Sequence, residues 1–364
     1  MSWLDETRAI LTSLTAKNGK IAKLAKGVMQ QIRLDANSGF YLAEPLDTWL
    51  TAGQHDFAIP EAGGSSARVF LLKHASGSTS YGYHPAFKVM RHDKIAYAKP
   101  LFLEEYNILA NLRGFEGMTP MLQAGFLKTD ANTAWPPEIA PLTSQMEKQG
   151  QGAHIKGELA LFEVEEIEDV LTQFEERIAD QWLPFLILQR RWEDNLYLLC
   201  DAGYTRGNFV RNLSMKQVLD IGIQICTIME EAHSRGATFL DHKLLHYYWN
   251  DIREKVMIID WNIGHWQPNN FSPEVQQADL IQLSSRALHH IFTGRQAPGS
   301  VAVGPNRPEE IANSPTHFKA SYSYDVQNRL NDQEIRFLES ALDGQFKTPA
   351  EMKAALRVLY NKRL

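Results

Sequence analysis

Hydrophobic residues recur at three- and four-residue steps in several long stretches of the chain, a spacing that predicts amphipathic helices. The stretches cover residues 1 to about 35, residues 99–113 and Met215–His233. Ser214 stands directly before the third stretch as a plausible N-cap. Two further helices are predicted to close the chain after residue 331, the last of them capped by Thr348 ahead of Pro349.

Between these helical stretches the pattern changes to short apolar runs that predict strands. Phe57–Met90 contains apolar runs separated by Gly63 and Gly64, and another strand is expected after the turn at Pro120. Phe185–Leu188 is continuously apolar, as a strand buried on both faces would be. The run Val256–Asp260 predicts one more short strand, and this one ends in a carboxylate.

Residues 127–182 differ from their surroundings and are interpreted as a partly mobile insertion. A proline-rich patch and a Gln- and Gly-rich stretch are followed by the acidic, helix-like run from Glu163 to Trp182. An acidic run is usually a solvated helix face, and a docking or regulatory element is the alternative.

Composition describes an ordinary globular chain, with 364 residues, 44% hydrophobic and 22% charged residues. The net charge of −6 argues against a nucleic-acid surface, so no nucleic-acid partner is expected. Cys200 and Cys226 lie in apolar stretches of sequence and are expected to be reduced and buried. No signal peptide or membrane span is recognised, which predicts a cytoplasmic protein.

The stretch Met229–Asn262 carries the residues with the clearest chemistry. Asp241 and Asp260 bracket a polar loop, and Lys243 follows the first of them by two positions. One carboxylate can orient a hydroxyl nucleophile, the lysine can neutralise a moving phosphoryl group, and the other carboxylate can hold a divalent metal. The pattern therefore favours phosphoryl transfer.

The text HSRG…LDHKLLHYYW…IIDWN resembles the catalytic core of the protein kinase-like superfamily, with its H-R-D-L-K-x-x-N and D-F-G motifs. The resemblance places Asp241 on the catalytic Asp, Lys243 on the lysine after it, and Asp260 on the metal-binding Asp. It covers about residues 57–345.

Several positions depart from that pattern. Phe239 and Leu240 replace the His and Arg before the catalytic Asp, and His246 stands where the second metal ligand is usually Asn. Since imidazole suits borderline metals better than it suits Mg²⁺, His246 implies one-metal chemistry through Asp260 or a preference for Mn²⁺. Its alternative interpretation is a loop histidine bonded to backbone. His242 is expected to face outward, and Asn250 is a less favoured alternative ligand.

In the amino-terminal part, AGGSSARV resembles the glycine-rich phosphate loop, with Gly63, Gly64, Ser65 and Val69 as its nucleotide-binding positions. Lys88 follows Val69 by nineteen residues, inside AFKVM, and resembles the lysine that contacts the α- and β-phosphates. An ordinary hairpin and a surface lysine on an edge strand are the alternatives.

Glu105 resembles the helix glutamate that pairs with this lysine, and Glu104 is interpreted as a solvated neighbour. By the same resemblance, Gln189, Arg190 and Arg191 are expected to meet the adenine with their backbone groups.

Ser272-Pro273-Glu274, which is aligned with A-P-E, begins only twelve positions after Asp260. The shortening removes the phosphorylated loop and the peptide platform, so no activation by loop phosphorylation is expected. Asp279 falls near the Asp that braces the catalytic loop from the next helix.

Together these features predict an α+β, bilobal protein kinase-like fold with an antiparallel-sheet N-lobe and a mainly helical C-lobe. The expected division is a helical extension over residues 1–50, an N-lobe over 51–190 with the insertion, and a C-lobe over 191–364. The expected function is an ATP-dependent kinase that uses Mg²⁺ or Mn²⁺ and acts on an unknown protein (Ser/Thr) or small-molecule hydroxyl. The alternative is a pseudokinase that binds nucleotide or a protein partner.

Overall fold

A computed structural model describes the chain over eleven ranges: residues 30–34, 40–45, 66–74, 85–91, 94–129, 157–163, 167–189, 194–201, 213–268, 271–298 and 330–363. The chain divides into two compact units. The first unit takes in residues 1–103 and 120–190, and the second takes in residues 104–119 and 191–364.

The first unit is built on an antiparallel sheet of seven strands. In chain order its strands are β1 (Gln30–Leu34), β2 (Phe40–Pro45), β3 (Ala67–His74), β4 (Ala86–Met90), β5 (Met121–Thr129), β6 (Gly157–Glu163) and β7 (Leu183–Leu188). Across the sheet the order is β1-β6-β5-β7-β4-β3-β2. Strands β7 and β4 therefore lie in its interior, and each is hydrogen-bonded on both sides.

The interior strands are those with the most continuous apolar sequence. All six residues of β7 and all five residues of β4 are buried. Phe87 of β4 stacks on Phe185 of β7 with ring centroids 4.5 Å apart. A strand covered on both faces needs apolar side chains at nearly every position, which is why these runs lack the usual alternation.

The prediction of a helix from residue 1 to about 35 is wrong for the last residues of that range. Gln30–Leu34 forms strand β1 and pairs with β6 over five positions, from Gln30 opposite Leu161 to Leu34 opposite Gly157. Strand β2 also falls within the expected helical extension of residues 1–50 and pairs with β3. Hydrogen bonds to strands distant in sequence outweigh a local helical spacing. Residues 1–29 lie outside the described residues.

The stretch expected to be an insertion, 127–182, contributes a strand to the sheet. Strand β6 pairs with β5 over seven positions, from Gln123 opposite Glu163 to Thr129 opposite Gly157. The acidic run forms the predicted helix, α2 (Ile167–Ala179), which begins with Glu168 and Asp169 in its first turn. Acidic residues there are stabilised by the helix dipole.

Helix α1 (Ile95–Asn111) begins four residues earlier than expected and carries Pro100 inside it. The division between the units falls within this helix, after Leu103. In the second unit, the segment that follows α1 is bound to strand β10 (Lys255–Ile258). Thr119 donates to the Ile258 carbonyl from both N and Oγ1, at 3.1 and 2.9 Å, and the Ile258 N–H donates to Gly117.

The remaining second-unit elements are β8 (Asp194–Asn195), α3 (Leu196–Cys200), α4 (Met215–Ser234), a 3₁₀ turn (Leu244–His246), β9 (Tyr247–Asn250), α5 (Pro273–Gln282), a π-helical segment (Leu283–Leu288), α6 (His289–Thr293), α7 (Asp332–Leu342) and α8 (Pro349–Lys362). Strands β8, β9 and β10 form a small antiparallel sheet in which β9 is central.

Helix α4 confirms the prediction for Met215–His233, including its cap. Ser214 and Gln217 form a capping box in which each side chain bonds the other residue's backbone N–H. Thr348 likewise caps α8 ahead of Pro349, as expected. The helical run that carries Asp279 begins at Pro273, and Gly294 ends it in a left-handed conformation.

This helical run continues from Pro273 to Thr293 through α5, the π-helical segment and α6. Ser284 and Ser285 each donate a side-chain hydrogen bond to the carbonyl four residues earlier. Such back-bonding bends helices. A wider π turn frequently marks a functional site, and here it carries Arg286.

Within the part of the chain that the structure describes, no helix is long and apolar enough to cross a bilayer.

Candidate active site

Asp241 lies on the buried loop between α4 and the 3₁₀ turn, with 4% of its surface exposed. Lys243 Nζ donates to Asp241 Oδ2 at 2.8 Å, so the two residues that the sequence selected as catalytic are in direct contact. The lysine side chain keeps 37% of its surface exposed. Its ammonium can therefore reach an incoming group while it neutralises the carboxylate.

Asp260 follows strand β10 and is joined to this loop through His246. The Nδ1 atom of His246 lies 3.0 Å from the Asp241 carbonyl oxygen, and its Nε2 atom lies 3.4 Å from Asp260 Oδ2. One ring nitrogen of His246 therefore contacts a backbone carbonyl, as expected for a loop histidine, and the other approaches a carboxylate, as expected for a metal ligand. The backbone reinforces this arrangement, because the Ile259 N–H donates to the His246 carbonyl at 2.9 Å.

The spacing of Asp260 and His246 can be compared with the spacing of adjacent ligands around a divalent cation. Ligands about 2.1 Å from one octahedral cation stand about 3 Å apart when they are adjacent. The 3.4 Å between Nε2 and Oδ2 is close to that value, so the pair fits two positions of one cation. Among the described residues no group of three or more His, Cys, Asp and Glu could hold a metal. Asn250, the alternative ligand, instead accepts a hydrogen bond from the Arg253 N–H in the hairpin turn.

Asp279, on α5, holds the backbone of the loop that carries Asp241. Its Oδ1 atom accepts hydrogen bonds from the N–H groups of Phe239 and Leu240, at 3.2 and 2.6 Å. Its Oδ2 atom lies 2.7 Å from His233 Nε2. The expectation that a carboxylate from the next helix braces this loop is confirmed by these bonds.

The charge of Asp279 is well compensated. Burial alone would raise the pKa of this carboxyl, but the nearby His242 charge and the hydrogen bonds with His233 and His242 outweigh it and hold the pKa well below its usual range. The carboxylate is therefore ionised under all ordinary conditions, and the loop that it holds stays anchored.

The expectation that His242 faces outward is wrong, since its side chain is fully buried. Its Nε2 atom lies 2.8 Å from Asp279 Oδ1, and its Nδ1 atom is hydrogen-bonded to the Tyr247 hydroxyl. Burial and the carboxylates of Asp279 and Asp241 raise the pKa of Tyr247 well above its usual value, so this hydroxyl stays protonated. The imidazole thus links the loop anchor to strand β9.

Phe239, which stands in place of a kinase histidine, supplies an apolar support under the loop. Its ring makes edge contacts with His246, Tyr247 and Trp261, at centroid distances of 6.0, 5.9 and 4.8 Å. Phe239 and Trp261 are fully buried. The aromatic departures from the kinase pattern therefore pack against each other across the two loops, and edge-to-face aromatic pairs of this kind are individually stabilising.

Two residues of the site have strained backbones. Leu240 and Asp260 have φ angles of 60° and 63°. An aspartate tolerates this left-handed conformation through local hydrogen bonding, but a leucine is uncommon there. The hydrogen bond from the Leu240 N–H to Asp279 holds the unusual turn that precedes Asp241.

Arg286 is a site residue that the sequence reasoning missed. It projects from the π-helical segment with 7% of its side chain exposed, and its Nη1 atom lies 3.9 Å from Asp241 Oδ1. Burial lowers its pKa, and the charge of Asp241 acts in the opposite direction. No motif in the surrounding sequence marks this arginine, and only the course of the helix brings it to Asp241.

In the first unit, Lys88 is buried, with 4% of its surface exposed, and lies on the interior strand β4 opposite Val69. The interpretation as a surface lysine on an edge strand is therefore wrong. Gln189 directly follows β7 and donates its N–H to the Pro120 carbonyl at 3.0 Å. Gly63, Gly64, Ser65, Arg190 and Arg191 lie outside the described residues.

In the second unit, Glu105 of α1 is fully buried. Glu104, expected to be a solvated neighbour, instead accepts a hydrogen bond from the Trp266 N–H at 3.0 Å, and its Oε1 atom lies 3.9 Å from His265 Nδ1. Of the two glutamates, Glu104 therefore holds the segment that follows Asp260.

No protein-family model matches the chain, and no curated protein with which it was compared matches it. The site is therefore interpreted from its own geometry.

Proposed function

We propose that the chain is an ATP-dependent phosphotransferase that transfers the γ-phosphate to a hydroxyl group, with Asp241 as the residue that contacts the attacking hydroxyl. The observation that carries this proposal is the linked set Lys243–Asp241–His246–Asp260, with a cationic group 2.8 Å from one carboxylate and an imidazole 3.4 Å from the other. Phosphoryl transfer needs little more from a protein than positioning and compensation of charge.

Each residue has a role that follows from its surroundings. Asp241 orients the hydroxyl and accepts its proton. Lys243 is hydrogen-bonded to Asp241 and partly exposed, so its ammonium can also bind a phosphoryl oxygen without leaving the loop. Asp260 and His246 would hold a divalent cation, Mg²⁺ or Mn²⁺, which when bound supplies positive charge to phosphate oxygens. Lys88 and Glu105 are both buried, and only the sequence resemblance supports the proposal that they contact the α- and β-phosphates.

The proposed enzyme does not require phosphorylation of the segment that follows Asp260. The eleven residues between Asp260 and Ser272 leave no space for a long regulatory segment. The loop anchor is the buried carboxylate of Asp279, which needs no modification to carry its charge.

One observation favours a second candidate, a nucleotide-binding module that does not transfer phosphate. Asp241 Oδ2 is bonded to Lys243, and Oδ1 lies 3.9 Å from the Arg286 guanidinium. A carboxylate with cations at both oxygens is already engaged in contacts within the protein and has less capacity to bind a substrate hydroxyl. In that candidate, Lys88 and Asp260 would bind nucleotide and Asp241 would be structural.

The decisive measurement is transfer of ³²P from γ-labelled ATP, and hydrolysis to labelled phosphate, with Mg²⁺ and with Mn²⁺. Asp241→Asn keeps the shape of the side chain and removes its charge, and we expect it to lower turnover by about 10²–10⁴-fold. Asp251→Asn, on the exposed hairpin turn, is the matched control and should retain full activity. Equal turnover in the parent and in Asp241→Asn would exclude the proposed phosphotransferase activity.

Nucleotide binding is measured separately, as the shift in melting temperature that ATP and the cation produce. We expect Lys88→Met and Asp260→Asn each to abolish the shift. A shift that persists in both variants would contradict the proposed nucleotide contacts. A shift without any turnover would instead favour the binding module.

A further inference from the structure

Arg286 has an unusual combination of burial and unused hydrogen-bonding capacity. The residue is buried, with 5% of its surface exposed. Its Nε and Nη1 atoms are inaccessible to solvent and have no hydrogen-bond partner among the described residues. Its ion pair to Asp241 Oδ1, at 3.9 Å, is too long to be a hydrogen bond. Leaving a charged donor buried and unsatisfied is costly, so such a group demands a functional explanation.

The position of Arg286 indicates what would satisfy it. Its guanidinium approaches one oxygen of the Asp241 carboxylate, and the Lys243 ammonium is bonded to the other. Two cations therefore flank a single carboxylate. A positive, largely desolvated site favours an anionic ligand, and a guanidinium matches the two oxygens of a carboxylate or phosphate.

The backbone that carries Arg286 supports a role of this kind. The residue lies in the π-helical segment Leu283–Leu288, between two α-helical segments. Such π turns are rare and occur frequently at functional sites. Here the π turn brings a guanidinium within 3.9 Å of the carboxylate that the proposed reaction uses.

We infer that Arg286 binds an anionic group on the acceptor, so that the acceptor is a small hydroxylated compound bearing a carboxylate or a phosphate. This inference rests on the proposed function and specifies its substrate class. The hydroxyl meets Asp241, and the anionic group of the same molecule meets the guanidinium, which lies 3.9 Å from that carboxylate. The short segment between Asp260 and Ser272 is consistent with a small acceptor rather than a peptide.

The test compares matched acceptors that differ in charge: glycerol, D-glycerate and glycerol 3-phosphate. The parent should prefer the two anions over glycerol by about 10–100-fold in kcat/KM, the range expected for one charge-assisted hydrogen-bonding group. Arg286→Gln should abolish that preference by raising the KM for the two anions. Arg286→Lys should restore part of the preference, because it retains the charge without the fork. Arg357→Gln, on an exposed position of α8, should behave like the parent.

A second measurement does not require turnover. Inorganic phosphate or D-glycerate should raise the melting temperature of the parent and of Arg357→Gln, and should not raise that of Arg286→Gln. Circular dichroism on each variant establishes that it is folded, and Arg286→Lys provides a charge-retaining variant if Arg286→Gln does not fold.

The two proposals fail in distinguishable ways. The parent could transfer phosphate to glycerol and to the anions at equal rates, or Arg286→Gln could lower every rate by the same factor. Either result would make the inference about Arg286 wrong and leave the phosphotransferase proposal standing. If neither acceptor nor water is phosphorylated but the anion shift depends on Arg286, the phosphotransferase is wrong and the anion site remains. Anion shifts that are equal in the parent and in Arg286→Gln would overturn the inference by themselves.

Discussion

At the residue scale, one carboxylate decides the shape of the loop that carries Asp241. Asp279 accepts bonds from two backbone N–H groups and lies within hydrogen-bonding distance of two imidazoles, with none of these contacts longer than 3.2 Å. The strained turn at Leu240 depends on one of these bonds. Side chains that differ from the kinase pattern, such as Phe239 and Leu240, are accommodated because the anchor binds their backbone atoms, which every residue type provides.

Replacing Asp279 with Asn should destabilise the second unit strongly. The change removes a buried charge and leaves its imidazole and N–H partners with a weaker acceptor, which should lower the free energy of unfolding by about 3 kcal/mol. Urea unfolding followed by tryptophan fluorescence measures this. Asp343→Asn, an exposed position at the end of α7, is the control and should change stability by less than about 0.5 kcal/mol. A similar small change in both variants would show that the anchor is dispensable.

His289 should make stability depend on pH. Burial, with a smaller effect of His290, lowers the pKa of His289 from 6.5 to about 4, although the hydrogen bond to the Arg295 carbonyl acts in the opposite direction. Above pH 6.5 the imidazole is neutral in both states. As the pH falls from 6.5 towards 4, only the unfolded state takes up the proton, so stability is lost on acidification.

The variant His289→Asn isolates this effect, because the Asn amide can still donate to the Arg295 carbonyl. Between pH 7 and pH 5 the parent should lose about 2 kcal/mol more stability than the variant. The measurement is urea unfolding at both pH values. Parallel losses in the two proteins would mean that His289 does not titrate in this window.

At the scale of elements, the site depends on how closely the two loops approach. The Thr238 N–H donates to the His265 carbonyl at 2.9 Å, and Ala237 and Trp266 form an isolated antiparallel bridge. This pairing connects the chain before Asp241 with the chain after Asp260. The approach requires a glycine between them, because a Cβ atom on Gly264 would stand 2.1 Å from the Thr238 carbonyl oxygen.

Gly264→Ala should therefore separate the two loops. We expect a loss of stability of about 2–4 kcal/mol and a larger proportional loss of activity, because the backbone oxygen of Thr238 cannot move without breaking the pairing. Gly114→Ala is the comparison. Gly114 has a positive φ of 81°, but a Cβ atom there would meet no other atom within 4 Å, so only the conformational penalty of about 1 kcal/mol applies. Equal effects of the two substitutions would contradict the close approach.

At the scale of the whole molecule, the chain consists of two compact units with different architectures, one built on a seven-stranded antiparallel sheet and one mainly helical. Both cysteines of the chain, Cys200 and Cys226, lie in the helical unit and are buried. Burial raises the pKa of the Cys226 thiol to about 12, a change that the neighbouring Glu230 supports and Lys353 opposes. The reactivity of these thiols therefore reports the integrity of the helical unit.

In the native protein, neither thiol should react readily with Ellman's reagent. At pH 8 a thiol whose pKa is near 12 has about 10³-fold less thiolate than an ordinary cysteine, and burial slows the access of the reagent to both. Both thiols should react at once in guanidinium chloride at about 6 M, above the unfolding midpoint of ordinary domains. Rapid titration of one thiol without denaturant would mean that the helical unit opens frequently.

Much of the secondary structure was predictable, because its causes are local. Ser214 and Thr348 act through hydrogen bonds to backbone N–H groups within a few residues, and each begins a helix where expected. The buried run at β7 was recognisable because a strand covered on both faces is apolar throughout. Strand β1 was missed because its hydrogen bonds come from β6, far away in the sequence, and a helical spacing of apolar residues contains no sign of that partner.

The sequence by itself determined which groups could do chemistry: two aspartates, a lysine and a histidine at spacings that a loop and a short hairpin could bring together. The direction of His242, the part that Glu104 plays and the presence of Arg286 were decided only by tertiary structure. A side chain's direction depends on the path of the backbone through space, and the π turn that carries Arg286 brings its guanidinium within 3.9 Å of Asp241 only once that path is fixed. Charged groups far apart in the chain acquire their chemistry only when folding fixes the distances between them.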